Sequence, residues 1–131
     1  MPEYLLESNV LIQHLRGHEP TTDLLTRLAL DGQLGLAAIS RTEVLAGMRD
    51  YEAESTLAFL DALACYALDV ATADRAGELI REFRRRGVTL DVPDAMIAAT
   101  AIEHCLILLT YNPRHFPMDD VRLYPSMPTL S

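Results

Sequence analysis

The sequence contains no lysine, since its eleven basic side chains other than histidine are all arginine, against nineteen aspartates and glutamates. The formal net charge is therefore −8 and the pI lies near 4.8. A protein that holds nucleic acid over a broad surface needs many basic groups, because each Lys or Arg that meets a phosphate adds to the affinity. The composition excludes that mode of binding and leaves only local contacts with a nucleic acid.

Cysteine and long apolar runs are also scarce. Cys65 and Cys105 form no CxxC or Cys/His spacing, which excludes a zinc site and predicts reduced thiols in the hydrophobic core of a cytoplasmic protein. The most apolar stretch, residues 95–111, is interrupted by Glu103 and His104, and no basic leader opens the sequence. We therefore expect neither export nor insertion into a membrane.

The chain has 131 residues, of which 50% are hydrophobic, and this predicts a single domain over 1–131. Short apolar runs alternate with segments of helical periodicity. The alternation predicts an α/β fold, with a mostly parallel sheet of four or five strands between two layers of helices. The predicted strands are 4–6, 34–39, 66–68, 105–109 and 121–124, and the predicted helices are 9–16, 21–32, 40–48, 55–64, 72–86 and 95–103.

Oxygen-bearing side chains fall at the predicted strand ends and helix starts. Ligands of parallel sheets bind at the carboxyl ends of strands, near the point where the strand order reverses. Several carboxylates brought together there raise one another's pKa unless a cation joins them. Oxygen ligands without His or Cys suit Mg²⁺ or Mn²⁺, which can activate water against a phosphodiester. The residues concerned are Glu7, Glu43, Asp91, Asp94 and Asn112.

Most of these residues also have a purely structural interpretation. Ser40 and Glu43 have the spacing of a capping box, in which the glutamate bonds the backbone at the helix start. Asp91 and Asp94 can serve as helix-start carboxylates that face the helix dipole. Asn112 precedes a proline and can belong to an ordinary turn. A structural reason is hardest to find for the charge of Glu7 at the end of an apolar strand.

A basic cluster ends the helix predicted over 72–86. Its charge is favourable at a helix C-terminus, which is one interpretation of the cluster. The other is a rim that binds substrate phosphates beside the acidic site. The cluster contains Arg81, Arg84, Arg85 and Arg86, and Arg114 is a further candidate for the rim.

Four segments in register resemble the motifs of PIN-domain ribonucleases of the VapC toxin type. The first motif usually carries Asp where this chain has Glu7. The resemblance covers nearly the whole chain in the right order. The matching segments are 4–12 with Glu7, 40–47 with Glu43, 94–101 with Asp94, and 109–112 with His115 and Phe116.

The resemblance implies a PIN-like fold and a Mg²⁺- or Mn²⁺-dependent RNA endonuclease that acts as the toxin of a toxin–antitoxin pair. Such a toxin is often a homodimer, and a cognate antitoxin silences it. By carry-over, the catalytic residues are Glu7, Glu43, Asp94 and Asn112. The first three are the main metal ligands, and we add Asp91 as a further candidate. The side chains expected to orient the carboxylates are Ser8, Asn9 and Thr110.

The departure at Glu7 keeps the charge but lengthens the side chain by about 1.5 Å. Because a misplacement near 1 Å can cost on the order of 10²-fold in rate, we expect reduced turnover. The sequence does not distinguish natural variation from a deliberate attenuating substitution. It also leaves open a catalytically silent binding module that keeps the fold and the antitoxin interface.

Overall fold

Five parallel strands and the helices between them make up the computed structural model, which describes residues 3–130. The strands are β1 (Glu3–Leu6), β2 (Gln33–Ala37), β3 (Ala64–Tyr66), β4 (Ile107–Leu109) and β5 (Arg122–Leu123). The helices are α1 (Ser8–Leu15), α2 (Glu19–Asp31), α3 (Ala38–Gly47), α4 (Ala53–Asp61), α5 (Val70–Arg85) and α6 (Val92–Glu103). Short 3₁₀ helices occur at Asp50–Glu52 and Pro113–His115.

The strand order in the sheet is β3-β2-β1-β4-β5. In the central strand, Tyr4 pairs with Leu34 on one side and with Ile107 on the other. The chain therefore winds outward from β1 to β3, returns to β4 beside β1, and continues outward to β5. The reversal of strand order lies between β1 and β4, where a parallel sheet leaves room for a ligand.

Side chains alternate between the two faces of the sheet and create two cores. Leu5 and Leu108 pack into the core beneath α5 and α6. Leu6 and Leu109 pack into the opposite core, which α1, α2, α3 and α4 cover. The predicted three-layer α/β/α arrangement with a mostly parallel sheet of four or five strands is therefore confirmed, and the sheet has five strands that all pair in parallel.

The starts of two helices differ from the prediction because each helix begins a few residues earlier than its sequence pattern indicated. Helix α3 begins at Ala38, so Ser40 lies inside it and the capping box predicted for Ser40 and Glu43 is wrong. The Ser40 hydroxyl is fully buried and finds no hydrogen-bond partner among residues 3–130. Helix α2, predicted to begin at residue 21, begins at Glu19 because the His18 side chain accepts the backbone N–H of Thr21 and caps the helix.

The ends of three helices share one hydrogen-bond pattern. Gly17 and Gly87 have φ of +83° and +80° and follow α1 and α5, as predicted. At the end of α6 the same left-handed position is held by Cys105 at φ +55°, with the Leu106 N–H bonded to the Ala101 carbonyl at 2.8 Å. This is the Schellman arrangement, in which glycine is usual because it has no Cβ.

The prediction that both thiols lie in the core is wrong, since Cys65 and Cys105 are free and exposed. Cys65 lies on the edge strand β3, and Cys105 lies in the exposed turn after α6. Apolar neighbours in sequence do not bury a side chain at a sheet edge or a turn. Within residues 3–130, no helix is both long and apolar enough to cross a membrane.

Candidate functional site

The candidate site lies at the carboxyl edge of the sheet, where β1 and β4 end side by side. Glu7 follows β1 directly, and its backbone N–H donates to the carbonyl of Leu109, the last residue of β4, at 3.0 Å. Thr110 follows β4 at the same level. Both positions are buried although both side chains are polar. The topology thus brings two chain segments about a hundred residues apart to one point.

Glu7 as a residue is 8% exposed, and two hydroxyl donors hold its carboxylate. Thr110 donates to one carboxylate oxygen at 3.1 Å, and Ser8 lies 3.4 Å from the other. The Thr110 oxygen in turn accepts from the Asn9 side-chain amide at 3.4 Å and from the Asn112 backbone N–H at 3.0 Å. One hydroxyl therefore connects the start of α1, the end of β4 and the carboxylate.

An open cleft of about 520 Å³ brings the five predicted acidic and amide residues together. Asp94 enters it from the first turn of α6, and Glu43 enters it from the middle of α3. Ser8 and Asn9 also line the cleft, whereas Thr110 lies behind Glu7 and does not. The predicted set in the cleft is Glu7, Glu43, Asp91, Asp94 and Asn112.

The purely structural roles considered for Asp91, Asp94 and Asn112, at helix starts or in a turn, agree with the structure only in part. Asp91 is the N-cap residue of α6, but its side chain makes no capping hydrogen bond and is exposed at the cleft. Asp94 does lie in the first turn of α6, where the helix dipole favours a negative charge. Asn112 is the N-cap of the short helix Pro113–His115 and also faces the cleft.

The carboxylates in the cleft disfavour one another's ionisation. Burial raises the pKa of Glu7, and the charges of Asp94 and Glu43 raise it further, whereas the Thr110 hydrogen bond opposes the shift. Burial also raises the pKa of Asp94, with the nearby charge of Asp91 adding to the effect and His115 opposing it. Without a cation, this cleft therefore concentrates negative charge at a cost in free energy.

The donor set fits a hard, hydrated divalent cation. The acidic and amide side chains in the cleft offer oxygen ligands only, as Mg²⁺ and Mn²⁺ prefer. Within residues 3–130, no three His, Cys, Asp or Glu side chains lie close enough to ligate one ion directly. Mg²⁺ usually keeps several waters and uses one or two carboxylates plus a substrate phosphate, so a looser cluster suits it. The side chains that could hold such an ion are Glu7, Glu43 and Asp94.

His115 was not among the predicted site residues, although its place beside Asn112 in the last motif is a signal for it. Its Nδ1 lies 3.3 Å from Oδ2 of Asp94, and its ring lines the cleft. Through this contact the loop after β4 can fix the orientation of the Asp94 carboxylate. Ile12, one turn along α1, is a second lining residue that the sequence did not indicate.

The arginines predicted to bind substrate do not line the cleft. Arg84 and Arg85 lie exposed in the last turn of α5, where they suit the helix dipole. Arg86 bonds Glu82 at 2.6 Å and lies over the Phe83 ring at 4.7 Å. Arg114 lies exposed in the helix Pro113–His115, also outside the cleft.

Comparison with known proteins places the fold and its acidic cleft in a family. The PIN domain family matches residues 4–121. The chain is 37% identical over 114 residues to ribonuclease VapC10 of Mycobacterium tuberculosis, covering 87% of this chain and 86% of the relative. It is 36% identical over 115 residues to ribonuclease VapC19 of the same organism, covering 87% and 92%. The chain therefore belongs to the PIN domain family, among the VapC proteins, as its motifs indicated.

Solved structures share the architecture. VapBC2 from Rickettsia felis, bound to a DNA fragment from its promoter, superposes with a TM-score of 0.82 at 23% identity, covering 93% of this chain and 97% of that chain. A toxin–antitoxin complex from Klebsiella pneumoniae gives a TM-score of 0.77 at 28% identity, covering 90% and 94%. The first similarity shows the fold alone.

Proposed function

We propose that this protein is a divalent-metal-dependent endoribonuclease and the toxin of a toxin–antitoxin pair. The observation that carries the proposal is the cleft at the β1–β4 switch point, where Glu7, Glu43 and Asp94 meet. The VapC ribonucleases among its relatives support RNA as the substrate. Toxin–antitoxin complexes among its structural relatives support a protein antitoxin as the partner.

The chain's own residues have separable tasks in this proposal. Glu7, Glu43 and Asp94 would hold the Mg²⁺ or Mn²⁺ ion, in part through its bound waters, and Asp91 and Asn112 line the same cleft and could accept hydrogen bonds from those waters or from substrate. When bound, the ion supplies charge neutralisation at the scissile phosphate and a water of lowered pKa. Thr110 favours the ionised form of Glu7 and orients it, because its hydroxyl donates to the charged form of the carboxylate.

The negative charge of the cleft also suits a protein inhibitor. A basic side chain from an antitoxin would meet carboxylates whose pKa values are raised by burial and by the charges of neighbouring carboxylates. Such a side chain would compete with the metal for the same oxygens. This gives a physical reason for an antitoxin to silence the enzyme at the site itself.

Glu7 sets how active the enzyme is in this proposal. The longer side chain still reaches the hydroxyls of Thr110 and Ser8, so its place in the hydrogen-bond network is kept. Its carboxylate nevertheless lies about one C–C bond from where an aspartate would place it. We therefore propose that metal binding is retained while turnover is lowered.

The test is cleavage of a single-stranded RNA by the purified protein in Mn²⁺, with a chelator as the parallel arm. Asp94→Asn is expected to lower the cleavage rate at least about 100-fold. Asp119→Asn, an exposed position outside the cleft, is the matched control and should leave the rate unchanged. Cleavage that survives both the chelator and Asp94→Asn would show that the proposed mechanism is wrong. Cleavage that appears only after Glu7→Asp would identify the natural chain as a silent binding module.

A further inference from the structure

A second depression opens beside the acidic cleft, bordered by α1, α3 and α4. We call it the flanking groove; it has a volume of about 300 Å³. Ile12 lines both the flanking groove and the cleft, so the two form one continuous surface. The residues of the groove used below are Ile12, Leu15, Arg16, Met48, Arg49 and Glu52.

Two helices carry residues of both surfaces. On α1, Asn9 lies in the cleft, and Arg16, which directly follows the helix, lies in the groove. On α3, Glu43 lies in the cleft, and Met48 directly after that helix lies in the groove. At 1.5 Å per residue, each helix covers roughly 8–10 Å between the two surfaces. A single strand that places one phosphate in the cleft would extend into the groove within a few nucleotides.

The groove has the positive charge that the cleft lacks. Within residues 3–130, the four ion pairs involve neither Arg16 nor Arg49. The Arg49 guanidinium donates to the Tyr51 hydroxyl at 3.1 Å, and the Glu52 carboxylate accepts the backbone N–H of Arg49 at 2.8 Å. Two arginines free of a carboxylate partner therefore adjoin the acidic cleft in a chain whose net charge is −8.

An exposed aromatic side chain contacts one of these arginines, Arg49. Tyr51 is 78% exposed, which is unusual for a large apolar ring, and the bond from Arg49 holds its hydroxyl. Ile12 and Leu15 add apolar surface on the groove floor. Proteins that bind single-stranded nucleic acid combine basic groups along the backbone path with aromatic rings on which bases stack. The groove offers the basic groups, and the exposed ring of Tyr51 adjoins the groove through its contact with Arg49.

We propose that the flanking groove is a subsite for the single-stranded RNA next to the scissile phosphate. Arg16 and Arg49 bind backbone phosphates there, and Tyr51 stacks on a base. The proposal rests on the proposed ribonuclease function and deepens it, because it names where the substrate is held. It assigns the phosphate contacts to the groove in place of the arginine cluster at the end of α5.

The experiment measures binding of a fluorescein-labelled single-stranded RNA of about twelve nucleotides as a function of salt. Binding is followed by anisotropy with Ca²⁺ present, and Mn²⁺-dependent cleavage is measured separately. Arg16→Gln with Arg49→Gln is expected to raise Kd at least about fivefold and to reduce the salt slope by about 1.4. Tyr51→Ala is expected to raise Kd between about fivefold and 150-fold with the slope unchanged. Arg122→Gln, which removes an exposed arginine on the edge strand β5, is the control and should change neither quantity.

The outcomes separate this subsite from the ribonuclease function itself. If the parent protein cleaves RNA in Mn²⁺ but the double arginine variant keeps both Kd and salt slope, the subsite is wrong and the ribonuclease stands. If the parent neither binds nor cleaves RNA, both are wrong. If the groove variants instead weaken only the complex with the antitoxin, the groove is a protein interface and the RNA subsite is wrong. Thermal melts of each variant verify that the fold is kept.

Discussion

The Thr110 hydroxyl takes part in three hydrogen bonds at the site. Removing it tests how the site stabilises the negative charge of Glu7. Thr110→Val keeps the shape of the side chain and removes the hydroxyl that donates to Glu7 at 3.1 Å. It also removes the acceptor of the Asn112 backbone N–H, which lies 3.0 Å away, and of the Asn9 amide. Three hydrogen bonds are lost at once, and one of them reaches an ionised group.

The expected loss depends on pH because the carboxylate titrates. Burial raises the pKa of Glu7 above its ordinary 4.5, so the folded protein binds that proton more tightly than the unfolded chain does. Stability of the metal-free protein therefore falls as the pH rises from 4.5 through the raised pKa. Thr110 opposes the shift, so its removal raises the pKa of Glu7 further. We expect a destabilisation of about 3 kcal/mol at neutral pH, from one charged hydrogen bond and one orphaned N–H.

The assay is urea unfolding in a metal chelator at about pH 4 and at neutral pH. Thr110→Val should lose clearly more stability at neutral pH than at low pH. Thermal unfolding at neutral pH should show the same loss as a drop in Tm of roughly 10 °C. Thr100→Val is the matched control, because Thr100 is also buried and bonds only the Met96 carbonyl. Its cost should be about 1 kcal/mol at both pH values. Equal losses for Thr110→Val at the two pH values would refute the role given to its hydroxyl.

Four further changes probe the site and the fold. Glu7→Asp should raise Mn²⁺-dependent RNA cleavage by about tenfold or more, because it shortens the side chain; an unchanged rate would argue against direct metal binding by Glu7. Gly35→Ala should destabilise the protein by about 2 kcal/mol in urea unfolding, because its Cβ would lie 2.7 Å from Cε2 of Tyr66. Gly77→Ala, with nothing within 4 Å of the added Cβ, should instead stabilise α5 by about 1 kcal/mol, and the same sign for both variants would contradict this reasoning. Cys105→Gly should stabilise the protein by about 1 kcal/mol in the same assay, because glycine adopts φ +55° without strain. A loss of stability would show that the contacts of the Cys105 side chain outweigh the backbone strain.

Much of the architecture could be predicted from local pattern. The apolar run before Glu7 and the run before Thr110 are strands because both sides of a central parallel strand are covered. Gly17 and Gly87 end their helices because both adopt a positive φ. Family motifs then indicated which acidic residues belong together, and the cleft contains all of them.

The errors share one cause, which is that exposure and capping depend on partners distant in sequence. The apolar neighbours of Cys65 and Cys105 suggested burial, but one lies on an edge strand and the other in a turn. The spacing of Ser40 and Glu43 suggested a helix start, but the chain already turns into α3 at Ala38.

Periodicity and motif order are local properties, and they were enough to predict the class of fold, the acidic character of the site and the family. Which side chains share a surface depends on how distant segments pack in the folded chain. The return of the chain from β3 to β4 places Thr110 against Glu7 and His115 against Asp94. The packing of α1 beside α3 places Arg16 in one groove with Arg49, although 33 positions separate them in the chain. Such neighbours follow from strand order and helix packing, which no single segment encodes.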